Sequence, residues 1–253
     1  MLTILSPAKK LDFTPQNKTN HYTVADHLSK SVKIMDQLKK MSKKDIAELM
    51  NLSEKLANEN YERNLTWNND FSPENAKQAI LTFNGEVYNG LKAETLTEEE
   101  LLYAQDHVRI LSGLHGVLRP LDLIKPYRLE MGTKLAVNGH KNLTEYWKDT
   151  ITDDIVKVLN KEKVLINLAS NEYTKPINFK IVNAKIITPV FKDYKNGKYK
   201  PLFVYVKKAR GMMMRFIVKN RIEDPEQLKN FEEEGYFYNE TMSTGKEFVF
   251  TRG

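Results

Sequence analysis

The stretch VLINLASNEY (164–173) opens with an apolar run that is too short and too β-branched for a helix, then turns abruptly polar. It reads as a buried strand that ends in a loop. Working outward, AKIITPVF (184–191), LFVYV (202–206) and the N-terminal LTILS (2–6) have the same character. Between them lie helical patterns. Leu28, Val32, Met35 and Leu38 mark one face of an amphipathic helix over about 24–40. Ser42 with Asp45, and Thr97 with Glu100, are capping boxes that open helices, and Ser53 begins another. Ser72-Pro73 places a cap before a helix PENAKQAILTF (73–83) that ends at Asn84-Gly85. A further helix is predicted over 143–159, another over 212–220, and a short one after Pro225. RLEMGTKLAV (128–137) reads as a hairpin strand, KNGK (195–198) as a turn, and GYFYNETMSTGKEFVFTR (235–252) as a closing hairpin. Strands interspersed with helices predict an α/β (α+β) fold: a single domain over 1–253 with a mixed β-sheet covered by helices.

Three of these strands run into polar ends. LTIL leads to Ser6, Lys9 and Lys10; VLINLA leads to Ser170 and Glu172; LFVYV leads to Lys207, Lys208 and Arg210. If the strands are parallel neighbours, their carboxyl ends open on one edge, where α/β sheets place ligands. Lysines as point charges, an arginine fork and hydroxyl donors suit phosphate. The alternative is that these are ordinary solvated loop charges.

Charge distribution sharpens this reading. The 253-residue chain carries 39 basic and 33 acidic residues, a net +6, yet residues 195–221 hold nine Lys or Arg and no acid. The block also contains Phe203, Tyr205, Met212, Met213 and Phe216, so it is folded rather than a disordered tail. Arg215 and Lys219 share one face of its helix. The methionines read as core.

Several chemistries are excluded. There is no cysteine, hence no disulfide, thiolate ligand or thiol nucleophile. STGKE (243–247) lacks the upstream glycine of a phosphate-binding loop, and no G-x-G-x-x-G follows a strand. The five histidines have no zinc-site spacing, so no metal and no cofactor is expected. No apolar run approaches a membrane span, and the N-terminus lacks a signal-peptide pattern; the expected location is cytoplasmic, away from membranes.

A second constellation is HVRILSGLHGVLRPLDLIKPYRLEMG (107–132). A capped helix ending at Leu111, glycines at 113 and 116, and a short helix over 117–124 outline a helix-hairpin-helix, whose glycines let backbone amides approach a DNA phosphate. Its glycines stand one residue further apart than in the usual G-h-G, and a helix cap followed by a tight connection explains them equally. Arg119, Asp122, Lys125, Tyr127, Arg128 and Glu130 crowd in just downstream.

The blocks SPAKKLDF, SPENAKQAILTFNGEVYNGL, RILSGLHGVLRPLDLIKPYRLEMG, INLASNEY, KKARGMMMRFIVKNR and GYFY together resemble, in order, the YaaA peroxide-stress family over nearly the whole chain. The resemblance implies one α/β domain with a basic cleft and a helix-hairpin-helix-like element, DNA binding that includes distorted duplexes, resistance to hydrogen peroxide, and lower free intracellular iron. Carried onto this chain, it sets the hairpin at Gly113 to Gly116 and the cleft charges at Lys9, Arg119, Arg128, Lys207, Lys208, Arg210 and Arg215. It carries no catalytic assignment. Two functional readings follow. One is a DNA-binding stress protein, with Tyr127, Tyr173 and Trp147 as candidate stacking residues. The other is an enzyme acting on a nucleotide, nucleobase or damaged DNA in the same cleft, with Lys9, Asp122, Glu130 or Glu172 as acid, base or nucleophile and Ser6 and Ser170 beside them. A nucleotide or phosphate ligand fits either. Any effect on iron is expected to be indirect.

Overall fold

The computed structural model describes residues 1–15 and 18–253; the middle of the expected loop over 7–20 lies outside them. Eight strands build the main sheet: β1 (Leu2–Leu5), β2 (Val108–Ser112), β3 (Gly116–Leu118), β4 (Val164–Leu168), β5 (Lys185–Lys195), β6 (Lys198–Lys200), β7 (Phe237–Tyr238) and β8 (Glu247–Arg252). Their order is β7-β8-β5-β4-β1-β2-β3, with β6 paired to β5. The central pairs β8/β5, β5/β4, β4/β1 and β1/β2 are parallel, and the three hairpin pairs are antiparallel. All four residues of β1 are buried, as a central parallel strand covered on both faces requires.

Among the described residues, seven α-helices of six residues or more surround the sheet: α1 (Leu28–Leu38), α2 (Lys43–Met50), α3 (Glu54–Thr66), α4 (Glu86–Leu91), α5 (Glu98–His107), α6 (Leu143–Glu162) and α7 (Phe203–Lys219). Both predicted capping boxes form, Ser42 with Asp45 and Thr97 with Glu100. Helix α1 starts at Leu28, later than expected, and buries Ser31, Ile34, Met35 and Leu38. Helix α6 buries Trp147, Ile151, Ile155 and Leu159 at helical spacing. On the far side of the sheet, Phe191, Phe231, Tyr236 and Phe250 form an aromatic cluster, closed by Phe216 of α7.

Four expectations are corrected. Residues 202–206 are not a strand: α7 begins at Phe203 and runs through the glycine, so it also subsumes the helix expected at 212–220. Strand β5 already pairs with β4, β8 and β6, which leaves no edge for another strand, and Phe203 stands 81% exposed in the first turn of α7. The predicted helix over 73–83 is instead a short strand, Lys77–Gln78, paired to residues 123–124, followed by one helical turn. Long-range bonds override its helical pattern, among them the Lys77 ammonium on the Asp12 and Thr14 carbonyls. Residues 128–137 form no strand.

The fourth correction removes the helix-hairpin-helix. Helix α5 ends at His107, and residues 108–118 are the β2–β3 hairpin, buried at the sheet end. Gly116 has a φ of 70°, and a Cβ there would sit 2.5 Å from the Trp147 ring; one on Gly113 would meet the Leu129 carbonyl at 2.4 Å. The Trp147 indole donates to the Gly113 carbonyl (2.9 Å). These glycines make room for Trp147 and for the 129–130 backbone, so neither amide lies open to a phosphate.

A close helix pair completes the frame. Where α4 crosses α7, a Cβ on Gly211 would lie 1.7 Å from the Val87 carbonyl and one on Gly90 would lie 2.1 Å from that of Lys208. Glycine is required on both helices for this approach. Met212, Met213 and Met214 are buried beside it.

Candidate functional site at the strand ends

The chain leaves β1 towards β2 on one side of the sheet and leaves β4 towards β5 on the other. The carboxyl ends of β1 and β4 therefore flank a topological switch point, where a crevice opens. Ser6 follows β1 and Ser170 follows β4. The Ser170 amide donates to the Ser6 hydroxyl oxygen (2.9 Å), with the two hydroxyls 3.4 Å apart. This juxtaposition of two strand ends is the one the sequence anticipates. The third anticipated end is absent, because Lys207, Lys208 and Arg210 lie within α7.

Around the serines, the loop after β1 carries Lys9, whose ammonium pairs with Glu130 at 2.7 Å. Arg128 approaches the same carboxylate at 3.8 Å. Glu172 accepts from the Gly132 amide (3.1 Å), which ties the segment after β4 to the 130–132 turn. Glu130 is thus shared by two cations while Glu172 is held by backbone. Lys9 remains 58% exposed, and the Arg128 Nε is buried with no hydrogen-bond partner among the described residues.

Three tyrosines floor the region. The Tyr88 hydroxyl donates to the Ser6 carbonyl (3.2 Å), and that of Tyr127 bonds Ser112 (2.8 Å). Burial raises the Tyr88, Tyr127 and Tyr173 hydroxyls well above the ordinary phenol range. For Tyr88 and Tyr173, neighbouring tyrosines push the same way. All three stay neutral at physiological pH. Tyr127, Tyr173 and Trp147 are buried, so none presents a face for an incoming base to stack on.

Helix α4 connects this region to the basic helix. It touches the loop after β1 through Tyr88 and through Gly85, whose Cβ would lie 3.3 Å from that of Ala8, and it packs against α7 at Gly90 and Gly211. Several charges singled out in the sequence serve the fold. Arg215 donates to the Leu91 and Lys92 carbonyls and to Thr95 Oγ1 (3.1, 3.2 and 2.7 Å), closing the end of α4. Asp122, 1% exposed, accepts from the Arg119 amide and guanidinium and from Thr23. Arg119 also reaches Asp26. Lys208 pairs with Glu234. The Arg210 Nε is buried with no hydrogen-bond partner among the described residues, and burial lowers the side chain's hold on its proton. Lys10 and Lys207 are exposed. Sequence reading missed Tyr88, Gly90 and Gly132; no spacing marks them, and only the tertiary contacts give them roles.

A family model described as the peroxide stress protein YaaA matches residues 1–242. The chain belongs to the YaaA peroxide stress family. Relatives of this YaaA-family chain include a UPF0246 protein of Saccharophagus degradans, 49% identical over 255 residues, covering 100% of this chain and 99% of the relative. A UPF0246 protein of Neisseria meningitidis serogroup B is 50% identical over 254 residues, covering 100% and 98%. One of Neisseria gonorrhoeae is 49% identical over the same length. The family resemblance of the sequence blocks is thereby borne out, and YaaA membership supports a role in peroxide resistance. Among the described residues, no helix is long and apolar enough to cross a membrane.

Proposed function

We propose that this YaaA-family protein acts in peroxide resistance by binding DNA along the basic surface of β6 and α7, with Lys9, Lys10 and Arg128 extending that surface at the strand ends. The observation that carries this reading is the acid-free run 195–221. It folds into one hairpin and one helix, and Lys195, Lys198, Lys207 and Lys219 remain exposed. Cations fixed on rigid elements, without acids of their own, bind a polyanion through phosphate contacts and with little base preference. In this reading Arg119, Arg215, Gly113 and Gly116 build the scaffold, and Lys208 shares its charge with Glu234. The effect on free iron is an indirect outcome of DNA binding.

A second reading is favoured by the switch point itself. Ser6, Ser170 and the Lys9–Glu130–Arg128 group form a compact polar set where α/β enzymes hold ligands. An enzyme acting on a nucleotide, nucleobase or damaged DNA would use that set.

Fluorescence anisotropy with duplex, bubbled and single-stranded DNA between low and physiological salt separates the two. The informative variant changes Lys198, Lys207 and Lys219 together to Ala, because all three are exposed and none holds the fold. Loss of binding in this variant places DNA on the α7 surface. Unchanged binding, or binding that vanishes at physiological salt in the parent, sinks the DNA reading and directs substrate screening to the strand ends.

A further inference from the structure

Away from the strand ends, a cavity of about 390 Å³ lies between α6, the start of β2 and the 119–122 turn. It shares no residue with the Ser6, Ser170, Lys9, Glu130 and Arg128 set, although Arg119, Asp122 and Asp26, described above as serving the fold, line it. Its walls carry both signs of charge: Arg109, Arg119 and Lys157 face Asp26, Asp106, Asp122 and Asp154, with Val117 and Val158 as the apolar lining.

Much of this charge is already committed. Asp122 takes donors from Arg119 and Thr23, and Asp154 pairs with His27 at 2.6 Å. Arg109 uses Nη1 on the carbonyls of Gln105, Asp106 and Val108 (3.0, 3.4 and 2.7 Å), which closes the end of α5. Its Nε and Nη2 make no hydrogen bond among the described residues, and neither does the Lys157 ammonium; the Asp106 carboxylate forms no salt bridge there, although its field reaches Arg109 and His107. Burial and the neighbouring Arg119 disfavour the Arg109 charge, and Asp122, Asp106 and Asp154 partly offset them. What remains unspent is a cationic pole on Arg109 and Lys157 and an anionic pole on Asp106, with Asp26 only partly used by Arg119.

A lone anion in this cavity would sit among four carboxylates, and a lone cation among three positive groups. A molecule with both charges satisfies each pole. The geometry points to a binding site for a small zwitterion of the α-amino-acid type: its carboxylate on Arg109 and Lys157, its ammonium on Asp106 and Asp26, and an aliphatic side chain against Val117 and Val158. The volume admits a molecule of that size. This site stands independently of the DNA reading.

The test is titration of the full chain with L-leucine, followed by calorimetry and by backbone amide shifts. The single-charge analogues 4-methylpentanoate and 3-methylbutylamine serve as controls. L-Leucine is expected to bind saturably at one site, below about 10 mM, with shifts confined to residues 106–109, 117–119 and 154–158. Each analogue should bind at least tenfold more weakly. Lys157→Gln, on an exposed helix position, should weaken L-leucine at least fivefold, as should Asp106→Asn. Arg109→Gln should weaken it more, but it also removes the α5 closure, so the two surface variants carry the decision. Absence of saturation, equal binding of either analogue, or indifference to both surface variants would overturn the assignment.

Discussion

The Ser6 hydroxyl accepts the Ser170 amide at 2.9 Å, joining the ends of two parallel strands that lie 164 residues apart in the chain. Ser6 is largely buried, so removing its oxygen strands the amide. Ser6→Ala should cost about 1–3 kcal/mol, the usual penalty for an unsatisfied buried donor. Ser170→Ala should cost less, because its hydroxyl contact is long at 3.4 Å. Urea unfolding reads both, as a shift of midpoint at constant slope.

The α4–α7 crossing predicts a sharper effect. Gly211→Ala and Gly90→Ala each drive a Cβ into a carbonyl oxygen of the other helix. Each should destabilise by about 3 kcal/mol or more, since backbone must move to accept it. Gly245→Ala, which meets nothing within 4 Å, is the matched control and should stay within about 0.5 kcal/mol. If the three variants unfold alike, the helix contact is looser than described.

His115 sets part of the acid limb of stability. It is fully buried, with Nε2 unpartnered and Nδ1 at 3.3 Å from Ser31, and burial pushes its pKa down to about 3. Between that value and the unfolded value near ~6.5, the unfolded chain binds the proton and the folded chain does not. Stability from this group is therefore complete above the unfolded pKa and falls as pH drops through the window, by about 1.4 kcal/mol per unit at most. In His115→Phe, which keeps the ring contacts to Phe71 and Tyr127, the pH dependence of urea stability between 6.5 and 3 should be shallower.

Two cations four residues from Gly211 or fewer should behave oppositely in DNA binding. Lys207→Ala should reduce the slope of log K against log salt by about 0.9, one phosphate contact on duplex DNA. Arg215→Ala should leave that slope unchanged and lower thermal stability instead, because its guanidinium is spent on the end of α4. A loss of slope in Arg215→Ala would return that residue to the binding surface.

The parts of the fold legible in the sequence are those whose local chemistry decides the outcome. The capping boxes at Ser42 and Thr97, the Asn196-Gly197 turn and the β-branched runs of β1, β4 and β5 all do so. The failures fall where distant partners decide. LFVYV has strand chemistry, but the occupied edges of β5 and the glycine contact with α4 make it helical. RILSGLHG looks like the end of a helix because its glycines suit a cap as well as a hairpin; Trp147, more than thirty residues on, selects the hairpin. At the site, Ser6 and Ser170 were readable as strand ends, whereas the use of Arg119 and Arg215 inside the fold was not. A sequence displays a charge without showing whether the protein has already consumed it.

The sulfur atoms lie mostly out of solvent. The chain has no cysteine, and of its nine methionines six are buried, including the run Met212, Met213 and Met214 packed beside the α4–α7 crossing, while Met41, Met50 and Met242 are half-buried. Conversion of a thioether to the sulfoxide tracks solvent access. A chain of the peroxide stress family thus keeps most of its thioethers out of solvent. The glycine contact that holds the basic helix in place also keeps Met212, Met213 and Met214 away from water.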